Sequence, residues 1–204
     1  MPSFFQIIYA LRASVRRRPS DHEVLEKFER QFRSGHWTFL GDVAELGRFS
    51  IIAGYCDYFH PRTILDVACG QGVLAARIKG LPYEQYLGID FSAEAIKQAN
   101  EAHANERTAF AIADAKTYVP TSRFDLIVFN ECFYYFTDPR AVMRNFVPWL
   151  APGGHIVVSM FRRLRTRAIW PGLEAGMDVE DSVTVTKRGQ ASWTVKVLTP
   201  RACD

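Results

Sequence analysis

Residues 64–72 read Ile-Leu-Asp-Val-Ala-Cys-Gly-Gln-Gly, and this segment is the strongest indication of the fold class. A short apolar run reaches the carboxylate of Asp66, two glycines follow, and residues 73–79 then favour a helix. This order is typical of a buried parallel strand that leads through a tight turn into a helix. Gly70 and Gly72 have no side chain, so a ligand can approach the backbone of the turn closely. The first N–H groups of the helix lack partners within it and would point at that ligand.

The spacing of the glycines limits the class of ligand. The dinucleotide fingerprint Gly-x-Gly-x-x-Gly would have to fall on Ala68, Gly70 and Val73, and two of these positions are not glycine. The turn also lacks the Gly-Lys-Ser/Thr ending of a phosphate-binding loop. An ordinary glycine-containing turn remains the alternative to a ligand site, because such turns are common in α/β folds.

Polar residues also follow the next three apolar runs of the core. These residues are Asp90, Asp114 and the pair Asn130-Glu131. Asp90 lies about 20 residues beyond the glycine turn, where Rossmann-type sheets place an acid against ribose hydroxyls. Any one of the acids could be a solvated strand end or a helix cap. Their succession predicts a ligand crevice, because open α/β sheets bind ligands at the carboxyl ends of their strands.

Taken together, residues 63–160 resemble the core of the class I S-adenosylmethionine-dependent methyltransferases, with the motifs in order. The usual first motif is a strand, an acid and then Gly-x-Gly-x-Gly, and here Ala68 stands at the first glycine. The resemblance implies an α/β fold with a Rossmann-like, seven-stranded, mostly parallel sheet, an antiparallel last strand and helices on both faces. It also implies S-adenosyl-L-methionine as the cofactor.

The resemblance further implies which residues hold the methionine part of the cofactor. Ala68, Gly70 and Gly72 would wrap around it. Asp66 would orient its amino group, directly or through water. The backbone of Asn130 would lie near the sulfonium.

For the adenosine part, the resemblance implies a second set of contacts. Asp90 would hold the ribose, since a carboxylate can accept hydrogen bonds from both hydroxyls. Phe91 would lie beside the adenine ring. Asp114 would accept a hydrogen bond from the adenine amino group, with the backbone of Ala115 next to it.

Residues 124–139 contain the pattern Glu-x-x-Tyr-Tyr. It is similar to the small-molecule and sugar-modifying branch of the family, including the oligosaccharide N-methyltransferases of nodulation type. Glu131 is therefore the candidate catalytic residue, able to take a proton from a hydroxyl or to hold an ammonium group; its alternative is a structural acid at a helix start. Tyr134 joins it in the site and would line the pocket, because a phenol with a pKa near 10 is a poor base.

The region ahead of the first strand is expected to build the acceptor pocket. Trp37 could cover the cofactor and exclude water, or it could be an ordinary core anchor. Arg48 could grip the methionine carboxylate with its guanidinium fork, or it could be a surface charge on a helix.

Length and composition predict one globular domain over residues 1–204, and the resemblance implies that it is a methyltransferase domain. The chain has 204 residues, of which 48% are hydrophobic and 23% charged. We expect a helical cap over residues 1–62, the cofactor-binding core over 63–160, and a helix with a β-hairpin over 161–204.

The hairpin is predicted from alternating residues near the end of the chain. Residues 182–187 and 192–198 each alternate between apolar and polar side chains, and Arg188-Gly-Gln lies between them. They would form strands six and seven.

Charge and hydropathy limit the partners. A net charge of +3 is too small to favour nucleic acid. No apolar run reaches the 18 residues of a membrane span, and no secretory signal opens the sequence, so we expect a cytoplasmic monomer or homodimer. The basic, amphipathic residues 1–18 are expected to pack on the body or on a neighbouring subunit; contact with a membrane surface is the alternative.

Cysteines and histidines show no metal-binding pattern, so no metal site is expected. Cys56, Cys69, Cys132 and Cys203 lack paired spacing and are predicted to be free thiols. A small-molecule acceptor, acidic or sugar-like, is the expected partner. Four arginines between residues 162 and 167 could meet an acidic acceptor or form a solvated face.

Two other functions fit parts of the sequence. A nicotinamide-dependent oxidoreductase would share the Rossmann-like sheet, although the dinucleotide fingerprint is incomplete. A non-catalytic, cofactor-binding or scaffold protein would share the whole core.

Overall fold

The computed structural model describes residues 20–187 and 192–201. The predicted helix over residues 1–18, the predicted turn at 188–190 and the thiol of Cys203 lie outside the described residues.

Seven strands form one sheet in the order β3-β2-β1-β4-β5-β7-β6. Their bounds are β1 Thr63–Val67, β2 Gln85–Asp90, β3 Thr108–Ile112, β4 Phe124–Asn130, β5 Leu150–Phe161, β6 Met177–Thr186 and β7 Ser192–Pro200. Strands β1 to β5 pair in parallel, and β7 runs antiparallel to both β5 and β6. The predicted fold class is therefore confirmed, including the reversed last strand.

Helices cover both faces of this sheet. Their bounds are α1 Asp21–Arg33, α2 Val43–Phe59, α3 Val73–Ile78, α4 Ala93–His103, α5 Pro139–Phe146, α6 Leu164–Arg167 and α7 Trp170–Leu173. Local sequence explains where several of them begin. Ser20 and Glu23 form a capping box at the start of α1, and Asp138 caps α5 ahead of Pro139.

The core lies on both sides of the parallel strands, which explains their continuous apolar sequences. In β1, Leu65 and Val67 pack against the cluster that contains α5 and α7. Ile64 faces the opposite cluster, which is built from α2, α3 and α4. All three side chains are fully buried. Since β1 to β4 are parallel, their carboxyl ends meet at one edge of the sheet.

Strand β5 starts at Leu150, which pairs with Phe124, and an irregularity follows before regular pairing resumes. Strand β6 begins earlier than the sequence predicts, at Met177 rather than Ser182. Residues 178–182 are exposed, so this part of the strand has no buried face that alternation could indicate. Asp178 forms an ion pair with Arg201 there.

Gly88 in β2 has no room for a side chain. A Cβ atom there would lie 2.5 Å from Cδ1 of Phe110 and 2.9 Å from Sγ of Cys69. We expect Gly88→Ala to lower the free energy of unfolding by about 3 kcal/mol, at the upper end of overpacking effects, in a urea titration. Gly80→Ala is the control, because nothing lies within 4 Å of its Cβ position. Equal stabilities of the two variants would contradict this view of the β2–β3 packing.

Candidate active site

The glycine turn after β1 adopts the left-handed conformation at three alternate residues. The φ angles are 59° at Ala68, 55° at Gly70 and 78° at Gly72. Ala68 therefore holds a conformation that costs an L-residue roughly 1–2 kcal/mol, at the position where the family pattern has glycine.

The two glycines face different surroundings. A Cβ atom on Gly70 would point toward Phe32 of α1 at 3.6 Å, which is ordinary contact on the crevice side. On Gly72 it would lie 2.9 Å from Cδ2 of His103 and 3.0 Å from Cζ of Phe110. Packing on α4 and β3 thus requires glycine at position 72, whereas the space beside Gly70 is bounded by the Phe32 ring.

Asp90 ties the end of β2 to this turn. Its Oδ2 accepts a hydrogen bond from the Gly70 N–H at 3.0 Å, and its Oδ1 accepts one from the Ser92 N–H at 2.9 Å. Burial raises the pKa of Asp90 to about 6, although both backbone hydrogen bonds lower it. Each carboxylate oxygen still has a second lone pair, so hydroxyl groups of a ligand can also donate to it.

Asp66 lies beneath the turn with one oxygen unsatisfied. The Tyr86 hydroxyl donates to Oδ2 at 2.6 Å, whereas Oδ1 is buried and accepts no hydrogen bond within residues 20–187 and 192–201. Burial raises the pKa of Asp66 to about 7. A buried acceptor without a donor is costly, and an amino group or a water would satisfy it.

Asp114 and Ala115 follow β3 at the same edge of the sheet. The Asp114 carboxylate accepts a hydrogen bond from the Lys116 N–H at 2.9 Å and lies 3.3 Å from Nζ of Lys116. The same ammonium contacts Asp21 of α1 at 2.7 Å. Ala115 is buried. Lys116 thus connects the end of β3 to the helical cap.

Aromatic side chains from α1 and the segment after it cover the crevice. The Phe28 ring lies 5.3 Å from Phe91 at the end of β2 and 5.2 Å from Tyr135 beyond β4, measured between centroids. Trp37 is stacked on Phe28 at 5.8 Å and is half-buried. It therefore packs within the aromatic cover.

Polar contacts hold this cover in place. The Glu29 carboxylate accepts hydrogen bonds from the Ala93 and Glu94 N–H groups at 2.7 and 3.2 Å, so it caps the start of α4. Gln71 of the glycine turn donates to the Trp37 carbonyl at 3.3 Å. Sequence reasoning missed Glu29, because an acid that caps a distant helix carries no local signal.

Glu131 lies at the end of β4 in a strained conformation, with φ at 62°. Its Oε1 accepts a hydrogen bond from the Ser159 hydroxyl at 3.2 Å, and its Oε2 accepts one from the Tyr134 hydroxyl at 3.0 Å. Desolvation raises the pKa of Glu131, and the nearby Arg48 opposes that rise. Burial also raises the pKa of Tyr134 well above its usual range, so this phenol remains a donor that positions Glu131.

Ser159 links Glu131 to the neighbouring predicted site residue. Its hydroxyl lies 2.8 Å from Oδ1 of Asn130, and its carbonyl accepts a hydrogen bond from the Glu131 N–H at 3.1 Å. Sequence reasoning missed Ser159. A signal was present, because this fully buried serine interrupts the apolar run of β5.

Arg48 is 2% exposed, so the alternative of a surface charge is wrong. Its guanidinium lies between the rings of Phe49 and Trp193, with Cζ 4.5 and 5.6 Å from their centroids. Its Nη2 is 3.0 Å from the Glu45 carboxylate, but the two groups are misaligned. Neither Nε nor Nη2 has a hydrogen-bond partner in the described part of the chain. These donors can accommodate a ligand carboxylate.

Three further expectations concern the cysteine thiols, metal ligands and membrane-spanning helices. Cys56, Cys69 and Cys132 are free thiols, and burial raises the pKa of each. No group of three metal-ligating side chains comes together among residues 20–187 and 192–201. Within the same ranges, no helix has the length and apolar character that crossing a bilayer requires.

The raised pKa values of Asp66 and Asp90 predict a pH dependence of stability. Because the folded state holds these protons to higher pH than the unfolded chain, the stability they contribute at low pH is lost as pH rises through about 6 to 7. We expect the free energy of unfolding to decrease between pH 5 and 8, and Asp66→Asn to flatten that slope. Asp57→Asn, at an exposed acid, is the control in urea titrations at several pH values. A slope that is identical in Asp66→Asn and the wild type would contradict this prediction.

Comparison with known proteins identifies the family. A family model described as a methyltransferase domain matches residues 61–192. An uncharacterized methyltransferase of Mycobacterium tuberculosis (strain ATCC 25618 / H37Rv) is 32% identical over 100 residues, which are 48% of this chain and 50% of that protein. The ubiquinone biosynthesis O-methyltransferase of Serratia proteamaculans (strain 568) is 27% identical over 152 residues, 70% of this chain and 62% of that enzyme. The chain thus spans about half the length of the first relative.

A solved structure agrees with the fold. The N-methyltransferase NodS from Bradyrhizobium japonicum WM9, in complex with S-adenosyl-L-homocysteine, has a TM-score of 0.74 at 20% identity, over 87% of this chain and 98% of that chain. At this identity the likeness shows the fold alone. The family match, which covers well over half of the 204 residues, shows more: the chain belongs to the class I S-adenosylmethionine-dependent methyltransferases, whose cofactor is S-adenosylmethionine.

Proposed function

We propose that the protein transfers the methyl group of S-adenosylmethionine to an oxygen or nitrogen atom of a small-molecule acceptor. The observation that supports this most directly is the hydrogen bond between the Gly70 N–H and the Asp90 carboxylate. It fixes the glycine turn and the ribose-binding acid as one unit at the carboxyl ends of β1 and β2. The family assignment also favours a methyl donor over a nicotinamide dinucleotide.

The residues present fit this cofactor at several points. Asp66 offers a buried oxygen that lacks a donor, suited to the methionine amino group. Arg48 offers two buried nitrogens that make no aligned hydrogen bond, although Nη2 lies 3.0 Å from the Glu45 carboxylate, and these nitrogens are suited to the methionine carboxylate. Asp90 would hold the ribose, and Phe91 and Asp114 would flank the adenine. Ala68, Gly70, Ala115 and Asn130 would contribute backbone contacts, and Gly72 would support the turn from below.

When bound, the cofactor supplies a methyl group that is already activated by a positive sulfur. The protein's own task is then to position the acceptor in line and to exclude water. With a hydroxyl acceptor, Glu131 would take the proton of the oxygen that becomes methylated. The bond from the methyl carbon to sulfur would break as the bond to the acceptor oxygen forms, and S-adenosylhomocysteine would be the leaving group. The raised pKa of Glu131 brings this carboxylate closer to the range in which a general base is effective.

The proposal also includes the class of acceptor, which is a small molecule or a sugar. The Glu-x-x-Tyr-Tyr pattern around Glu131 supports a small-molecule or sugar-type acceptor of the nodulation type. The strained backbone of Glu131 supports catalysis over a purely cofactor-binding role, since strain of this kind concentrates at functional sites. We also propose a cytoplasmic location, which the unpaired cysteines support.

Cofactor entry would require the aromatic cover to move. Phe28 lies between the ends of β2 and β4, and Phe32 lies directly over Gly70. We infer that α1 shifts away from the strand ends before the adenosyl group reaches them. Such a shift would break the hydrogen bonds of Glu29 to the start of α4 and the ion pair between Asp21 and Lys116.

The cofactor site is tested by calorimetry with S-adenosylhomocysteine. We expect Asp90→Asn to weaken binding by about 10- to 100-fold, because a hydrogen bond to a charged group is worth roughly 1.5–3 kcal/mol. Asp57→Asn should bind like the wild type. Circular dichroism confirms that each variant is folded. Failure of the wild type to bind would end the proposal.

Catalysis is tested with S-adenosylmethionine labelled in the methyl group and small-molecule fractions of a cell extract. We expect Glu131→Gln to slow labelling by about 10²- to 10⁴-fold, the usual contribution of a general base, with unchanged affinity for S-adenosylhomocysteine. Tyr134→Phe should have a smaller effect, because it removes only a positioning contact. A full rate in Glu131→Gln would assign this residue a role other than proton transfer.

A further inference from the structure

We propose that the four arginines of residues 162–167, here called the arginine ledge, bind an oxyanion of the acceptor, either a carboxylate or a phosphate. This inference rests on the proposed methyl transfer and adds the chemical class of the acceptor. It uses a group of side chains that the methyl-transfer site itself leaves unassigned.

The arginine ledge lies at the same edge of the sheet as Glu131. Ser159 of β5 pairs with Asn130 of β4, and its hydroxyl contacts the Glu131 carboxylate. The arginine ledge begins at Arg162, three residues further along the chain. At about 3.3 Å per residue, this is on the order of 10 Å from Ser159.

Aromatic rings connect the arginine ledge to the buried site. The guanidinium of Arg163 lies 4.8 Å from the Phe161 centroid, and Phe161 lies 5.7 Å from Trp193. Trp193 in turn contacts Arg48, whose charge acts on Glu131. A chain of contacts through two rings therefore leads from Arg163 of the arginine ledge to the buried Arg48.

A buried threonine fixes the backbone of the arginine ledge. Thr166 is 5% exposed, its hydroxyl donates to the Phe161 carbonyl at 2.6 Å, and it accepts a hydrogen bond from the Arg163 N–H at 2.9 Å. The Arg162 N–H donates to the Ser192 carbonyl at 2.9 Å. The arginines thus extend from an ordered turn, which lowers the entropy that binding must overcome.

Three of the four arginines have no acidic partner in the part of the chain that the structure describes. Arg162, Arg165 and Arg167 are exposed, and none has an acidic partner within ion-pair distance in the described ranges. Other arginines of this protein do form ion pairs, Arg62 with Glu84 and Arg201 with Asp178. Without the four ledge charges, the net charge of +3 would be −1.

Such crowding of like charges destabilises a fold unless an anion relieves it. Guanidinium forks match carboxylate and phosphate groups with paired hydrogen bonds. The placement therefore favours an acceptor that carries a carboxylate or phosphate group and extends from the end of β4 toward the end of β5.

The first test measures anion binding directly, without any need for turnover. Protein saturated with S-adenosylhomocysteine is titrated with succinate and with inorganic phosphate, and arginine side-chain N–H signals are followed by NMR at constant ionic strength. We expect saturating shifts at Arg162, Arg165 and Arg167 with at least one of the two anions, and the preferred anion identifies the oxyanion. The Arg165→Gln and Arg167→Gln double variant should lose saturation, whereas the control Arg144→Gln, on exposed α5, should keep it. Shifts that stay linear with both anions would overturn the proposal.

The second test separates this inference from the proposed function. Small molecules from a cell extract are divided on an anion-exchange resin and offered with labelled methyl donor. We expect label in the retained fraction, reduced at least tenfold in the double variant, whose affinity for S-adenosylhomocysteine and thermal stability remain at least equal to the wild type. Label only in the unretained fraction would overturn the ledge proposal and leave methyl transfer standing. No label in any fraction, despite cofactor binding, would overturn methyl transfer and with it the acceptor role of the arginine ledge.

Discussion

One hydrogen bond, from the Gly70 N–H to the Asp90 carboxylate, organises the cofactor side of this protein. It joins the turn after β1 to the end of β2, so the two elements that would meet the cofactor cannot move independently. This arrangement buries the carboxyl group of Asp90, and burial disfavours its charged form and raises its pKa. Hydrogen bonds from two backbone N–H groups offset part of that penalty. The lone pairs that remain are where ribose hydroxyls would complete the arrangement.

The acceptor side depends on a different balance of charge. Arg48 acts on Glu131, but the two groups differ in how far their surroundings satisfy them. Both Glu131 oxygens accept hydrogen bonds from side chains, whereas two buried nitrogens of Arg48 make none in the described part of the chain. Asp66 adds a buried oxygen without a donor beneath the turn. Buried polar atoms without partners are rare in folded proteins, so a charged ligand would complete these two groups.

The amino-acid sequence predicted the sheet, its reversed last strand and the succession of acids at the strand ends, because hydrophobic runs and glycine turns are local patterns. It did not predict Glu29, which caps a helix 64 residues away. It also did not predict that packing against His103 and Phe110 requires glycine at position 72, where it predicts a ligand contact. For Arg48 the sequence left burial and exposure open, since a single arginine on a helix carries no sign of the rings that enclose it. Contacts between distant segments account for each of these gaps.

The hydrogen bonds of Glu29 would affect the apparent affinity of the protein for its cofactor. If the crevice opens only when α1 separates from α4, every hydrogen bond that holds the aromatic cover closed also lowers the fraction of molecules that can bind the cofactor. Each 1.4 kcal/mol spent on closure would weaken the apparent affinity about tenfold, and loss of a helix cap alone is worth about 1 kcal/mol. Occupancy in the cell would then follow the strength of this cap as much as the contacts to the adenosyl group. Sequence variation at a surface position on α1 could therefore tune the response to methyl-donor supply without altering the chemistry.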